Sequence, residues 1–161
     1  MEGCRIQSYS KRNYTIFVDA DACPVKKEIV ELAHTYCVEV VFVASYAHMQ
    51  TNPSAGKWVY VDSEKEAVDL YILNHVQQGD VAVTQDTGLA SMLLSRRVYV
   101  LSPRGKVYSE NDMDTVLFFR YVSAKERKAG RYSKGPKAFS DEDREKFSTA
   151  LEKILSKREG I

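Results

Sequence analysis

Five short runs of β-branched and aromatic residues recur along the chain, and this rhythm limits the fold more than any other feature. They cover residues 14–18, 38–44, 58–61, 81–84 and 98–101. The first leads through Asp19-Ala-Asp21 to Pro24, which suits the first turn of a helix carrying Val25, Ile29, Leu32, Ala33 and Tyr36 at helical spacing. Ser63 and Glu66 have the spacing of a capping box, predicting a helix from there to about Gln78. Residues 89–94 suit a further helix. Strands alternating with helices predict an α/β, three-layer fold with a mainly parallel sheet flanked by helices. After Ser102-Pro-Arg-Gly105 the pattern changes to a helix around residues 112–121, a basic linker and a terminal helix. Ser140 caps that last helix, Asp141, Glu142 and Asp143 suit its positive end, and Phe147, Leu151, Ile154 and Leu155 form its apolar stripe. The expected organisation is a loose lead-in over residues 1–13 and a single domain over residues 14–161, with a helical C-terminal extension.

Acids fall where such a sheet puts its chemistry. Asp19 and Asp21 end the first strand, and Asp86 lies just past the fourth. In a doubly wound sheet these ends meet at a topological switch point, where ligands bind. Gathered carboxylates repel one another unless a proton or cation lies between them. Hard oxygen donors suit magnesium or manganese, one or two ions in number. Singly, each Asp at a strand-to-helix junction is equally explained as a helix cap. Asp69 adds independent weight, because its helix is apolar nearly all round and an acid there is costly to ionise unless paired. It either meets a lysine or arginine or joins the same cluster. Thr84 places a hydroxyl beside Asp86, and Ser45 and His48 follow the second strand toward the same edge. Cys23, before Pro24, reads as a small buried residue rather than a nucleophile. No glycine-rich phosphate loop is present.

Charge narrows the partner class. The chain carries 23 Lys and Arg against 22 Asp and Glu, for a net charge of +1. Seven bases and one acid between Arg120 and Lys137 give that stretch +6, leaving −5 for the rest. The stretch includes Lys134 and Lys137 and is interleaved with Tyr121, Tyr132 and Phe139, a combination able to follow a phosphate backbone and stack bases. Arg104 in the Ser-Pro-Arg-Gly turn is expected at the carboxyl edge of the sheet, where it would meet a phosphate. A charge run is equally a solvated face. No apolar run reaches the roughly 20 residues of a membrane helix, and three cysteines without CxxC spacing indicate neither a disulfide framework nor a zinc ribbon. A soluble, reduced, cytoplasmic protein without membrane association is expected.

Several segments in order carry a resemblance: Val18-Asp-Ala-Asp-Ala-Cys-Pro-Val25, Ala44-Ser-Tyr-Ala-His48, Glu66-Ala-Val-Asp-Leu-Tyr-Ile72, Gly79-Asp-Val-Ala-Val-Thr-Gln-Asp86, Ser102-Pro-Arg-Gly105 and Lys134-Gly-Pro-Lys-Ala-Phe139. Together they resemble the bacterial YaiI/YqxD family over about residues 14–155. That family is in turn similar to PIN-like nuclease domains, whose carboxylates bind magnesium or manganese and cut phosphodiesters. The resemblance implies Asp19, Asp69 and Asp86 as catalytic, metal-binding acids, and Asp21 at the end of the first strand is expected to assist them. Thr84, Arg104, Lys134, Lys137, Ser45 and His48 would contact a nucleic-acid substrate, RNA in the first instance. One position departs: PIN-like nucleases often carry a further acid two residues after the Thr-x-Asp aspartate, and here Gly88 stands there. Two alternatives follow. One is a non-catalytic RNA-binding module of the same fold. The other is a haloacid-dehalogenase-like phosphatase with Asp19 as nucleophile and Asp21 as acid/base, although Cys23 and the spacing of Asp80 and Asp86 fit that motif poorly.

Overall fold

A computed structural model describes residues 14–49, 53, 55–64, 66–111, 125, 130 and 138–159. Five strands alternate with helices: β1 (Thr15–Asp19), α1 (Lys26–Tyr36), β2 (Glu39–Ser45), β3 (Lys57–Val61), α2 (Ala67–His75), β4 (Val81–Val83), α3 (Thr87–Ser95) and β5 (Tyr99–Leu101). Short 3-10 turns follow β1 at Ala20–Ala22 and β2 at Tyr46–His48, and α4 (Asp141–Glu159) closes the chain. The sheet order is β3-β2-β1-β4-β5, and every pairing is parallel. The chain starts in the middle, builds outward through β2 and β3, then crosses back over α2 to place β4 on the other side of β1. This reversal makes the carboxyl ends of β1 and β4 the switch point.

Alternation along the strands sorts side chains into two cores, one on each face of the sheet. Ile16, Val18, Val40, Phe42, Val81 and Val83 pack with Ile29 and Ala33 of α1 and with Phe147, Leu151 and Leu155 of α4. Phe17, Val41, Val43, Ala82 and Val100 pack with Val68 and Ile72 of α2 and Leu89 and Leu93 of α3. The strands read as continuous apolar runs because both faces are covered. The expected three-layer arrangement is thus present, with a sheet wholly parallel rather than mainly so.

Three details hold the frame. The Asp80 carboxylate is buried at the amino edge, where it accepts the backbone N–H groups of Thr15 (3.0 Å) and Gln77 (2.8 Å). Ser140 caps α4 as expected: its hydroxyl accepts from Asp143 N–H at 3.2 Å while the Asp143 carboxylate accepts from Ser140 N–H at 3.1 Å. Gly105 runs so close to α4 that an added Cβ would stand 2.5 Å from the backbone carbon of Lys146. Its φ of +89° also lies in the region that favours glycine.

Some expectations are corrected. The helix after β3 begins at Ala67 and ends at His75 rather than spanning residues 63–78. The Ser63/Glu66 box does not form: Glu66 has φ 74°, and the Ser63 hydroxyl instead accepts from Ala47 N–H at 3.1 Å. Pro24 precedes the Val25 cap of α1 rather than sitting inside the helix. Cys37, at the left-handed end of α1, is disulfide-bonded where reduced thiols are expected, while Cys23 is a buried free thiol. An odd cysteine count leaves room for one bond and one spare thiol. The expected lead-in, the helix around residues 112–121 and most of the basic stretch, including Lys134 and Lys137, lie outside the described residues. Among the described residues no helix is long and apolar enough to cross a membrane.

Candidate functional site

Register brings the acids together. Val18 of β1 pairs with Val83 of β4, so Asp19 and Thr84 emerge side by side at the carboxyl edge. The Thr84 hydroxyl donates to Asp19 Oδ2 at 3.3 Å and accepts from Asp86 N–H at 3.0 Å, fixing both acids relative to the sheet. Asp86 is the N-cap of α3, and its Oδ1 accepts from Gly88 N–H (2.8 Å) and Leu89 N–H (3.1 Å). The backbone of Gly88, where a further acid was missing, therefore supports Asp86. Two N–H donors at a helix N-terminus favour negative charge there. The Gln85 amide donates to Ala22 O at 2.6 Å, tying the loop after β4 to the turn after β1.

Asp21 and His48 form the opposite wall. Asp21 Oδ1 accepts Ser45 N–H at 2.9 Å and lies 3.2 Å from His48 Nδ1, which is also 2.9 Å from the buried Ser45 hydroxyl. The ring is held through Nδ1, so Nε2 is the nitrogen left to meet a ligand. Asp69, on the first turn of α2, approaches from the third side. A cavity of about 520 Å³ is lined by Asp19, Asp21, Asp69, Asp86, Ser45 and His48, with Ser63, Glu64 and Glu66 closing it from the β3–α2 loop. Among the described residues its lining contains no lysine or arginine.

The electrostatics follow from this crowding. Burial, chiefly, and then the charges of Asp21 and Asp86 hold Asp19 above the usual carboxylate range, against the lowering effect of Thr84. Asp69 is pushed up to about 6 by burial first, then by the charges of Asp86 and Asp19 and a hydrogen bond to Asp86. Tyr108 is raised by burial and by the charge of Asp86. Burial pushes the Cys23 thiol up to about 11, which leaves it protonated and a poor nucleophile at neutral pH.

The Asp69 shift has a definite sign for stability. Between its ordinary value of 3.8 and about 6 the folded protein keeps a proton that the unfolded chain has lost. The stabilisation is therefore complete below the lower value and is lost as pH rises through the upper one. Since the carboxyl is partly solvated, the loss is about 1–2 kcal/mol. Asp69→Asn is expected to flatten this part of the Tm–pH profile and to match or exceed the parent's Tm near neutral pH. A profile identical to the parent's would separate Asp69 from the other acids.

The donor set suits a divalent ion in chemistry more than in its present spacing. The cavity offers hard carboxylate oxygens and concentrated negative charge, which suit magnesium or manganese. Among the described residues, however, no group of three or more His, Cys, Asp or Glu side chains is drawn together tightly enough to hold an ion as it stands. The fit is one of chemistry and charge, with Asp19, Asp69 and Asp86 the acids that would close on the ion. Asp21 is already committed to Ser45 and His48.

Arg104 lies elsewhere. Its guanidinium donates to Asp143 at 2.8 Å and sits 5.8 Å over the Phe139 ring, joining the turn after β5 to the start of α4. It does not line the cavity. Sequence reasoning missed Glu64 and Glu66. The capping-box reading assigned Glu66 to the backbone, but three acids in six residues after a strand end were a usable signal.

Comparison with known proteins identifies the family. Residues 17–157 match the family described as "Uncharacterized BCR, YaiI/YqxD family". A UPF0178 protein of Bacillus velezensis is 56% identical over 162 residues, covering 100% of this chain and 96% of that protein. One from Bacillus cytotoxicus is 56% identical over 146 residues, 91% of this chain and 95% of its own. One from Listeria monocytogenes serovar 1/2a is 48% identical over 143 residues, 89% and 96% respectively. No solved structure matches the chain. Length, coverage and identity agree: the chain belongs to the YaiI/YqxD (UPF0178) family.

Proposed function

We propose that the protein is a PIN-like nuclease that hydrolyses phosphodiesters, those of RNA in the first instance, with magnesium or manganese held by Asp19, Asp69 and Asp86. The observation that carries this reading is the meeting of three acids from β1, α2 and the β4–α3 junction at the switch point, where the charge of Asp86 raises the proton affinity of Asp19 and of Asp69, and that of Asp19 the affinity of Asp69. An anionic phosphodiester enters so acidic a cavity only when a cation offsets the charge. The bound ion would supply that neutralisation and lower the pKa of a water for attack on phosphorus. The protein's own groups do the positioning. Thr84 orients Asp19, the α3 N-terminus fixes Asp86, and Asp69, whose carboxyl burial and neighbouring charges push up to about 6, would give up its proton more readily beside a cation. His48, braced by Asp21 and Ser45, is placed to hydrogen-bond substrate through Nε2.

The phosphatase alternative loses support from Asp80, which is engaged at the amino edge while Asp86 lies at the carboxyl edge. Among the described residues that line the cavity, none is a lysine or arginine that would steady a phosphoryl group on Asp19. The test is incubation with varied RNA and DNA oligonucleotides in Mn²⁺ or Mg²⁺. Expected is cleavage that EDTA stops and added Mn²⁺ restores. Binding with steep salt dependence but no cleavage under any metal would overturn the nuclease reading in favour of an RNA-binding module.

A further inference from the structure

A column of aromatic rings runs along the β3 side of the sheet and ends at Tyr46, in the short turn after β2. Phe42 stacks on Trp58 (centroids 4.7 Å apart, planes 21°), Trp58 on Tyr60 (6.0 Å, 20°) and Tyr60 on Tyr46 (6.2 Å, 24°). Exposure rises along the column: Phe42 is buried, Trp58 and Tyr60 are half-buried, and Tyr46 is 56% exposed. A column built only to fill the core has no need to end in an open ring. The chain neighbours of Tyr46, Ser45 and Ala47, line the acidic cavity. Its backbone is held on both sides, since Ser45 N–H donates to Asp21, Ala47 N–H to Ser63, and Met49 N–H to Tyr46 O. The backbone that carries the ring is therefore held next to the acidic cavity, and the ring packs on Tyr60, which lowers the ordering cost of a stacked ligand.

We propose that Tyr46, backed by Tyr60 and Trp58, is a stacking subsite for an unpaired nucleobase adjacent to the phosphodiester in the cavity. The proposal rests on the reading of that cavity as a phosphodiester site. A flat base extends the near-parallel column by one ring, and stacking is tolerant of base identity. Bases inside a duplex are already stacked on both faces, so the subsite selects single-stranded or unstacked nucleic acid.

The experiment measures binding of a fluorescein-labelled single-stranded RNA decamer and its blunt duplex, in Ca²⁺, alongside Mn²⁺-dependent cleavage. Tyr46→Ala is expected to weaken single-strand binding by about tenfold, within the roughly 5- to 150-fold range for loss of one base stack. Tyr46→Phe retains binding within about twofold, because the ring face remains. In cleavage, Tyr46→Ala raises KM with kcat little changed, the mark of lost binding shared by ground and transition states. The sole tryptophan, Trp58, supplies a second readout: RNA alters its fluorescence in the parent and much less in Tyr46→Ala. Tyr46→Ala binding the single strand as tightly as the parent overturns the subsite even if cleavage is robust. Tyr46-dependent binding without cleavage sustains the subsite and overturns the nuclease reading. Absence of binding by the parent overturns both.

Discussion

Asp86→Asn is expected to reduce Mn²⁺-dependent cleavage at least about a hundredfold while leaving Tm nearly unchanged. Asp86 has two separable roles. As N-cap it accepts Gly88 and Leu89 N–H groups, and asparagine does this about as well as aspartate. As an acid it faces Asp69 and Asp19, and there the amide is neutral and a poor partner for a hard cation. Folding and chemistry therefore divide cleanly in this variant. Asp86→Ala loses the cap as well and should cost about 1 kcal/mol of stability. A further readout follows from the coupling: with the charge at position 86 gone, the Asp69 carboxyl should titrate below about 6, visible in its carboxyl ¹³C shift. Retained cleavage in folded Asp86→Asn would falsify the role assigned to this acid.

The second large effect concerns the frame. Phe147→Ala is expected to destabilise the protein by about 3–5 kcal/mol, measured by denaturant unfolding. Phe147, Leu151 and Leu155 are fully buried against α1 and the β1, β2 and β4 strands, so α4 is part of the core rather than an appendage. Typical domains hold only about 5–15 kcal/mol in total, and this loss is a large share of that. The exposed substitution Lys153→Ala on the same helix should shift stability by no more than about 0.5 kcal/mol. Equal effects from the two variants would mean that α4 does not dock as described.

Much of this arrangement was legible in the residues, for identifiable reasons. Parallel strands covered on both faces are continuous apolar runs, so all five strand segments are recognisable to within about a residue. Asp69 stood out because an acid in an apolar helix demands explanation. What periodicity does not carry is long-range pairing. The neighbouring of Asp19 and Asp86 depends on β4 joining β1 rather than β5 alone, a consequence of the chain's crossover. Arg104 illustrates the same limit. Its position in a turn after β5 was readable, but its partner Asp143 is 39 residues away on α4. The failed capping box had a local cause: Ser63 found a better use bonding Ala47 across the cavity, and Glu66 took a left-handed conformation. A four-residue spacing contains no information about such competing partners.

The most direct test of the central claim is anomalous diffraction from crystals soaked in Mn²⁺. The account predicts a peak bounded by carboxylate oxygens of Asp19, Asp69 and Asp86, lost in Asp86→Asn crystals treated alike. Manganese bound elsewhere, with these three acids making no contact to it, would contradict the account.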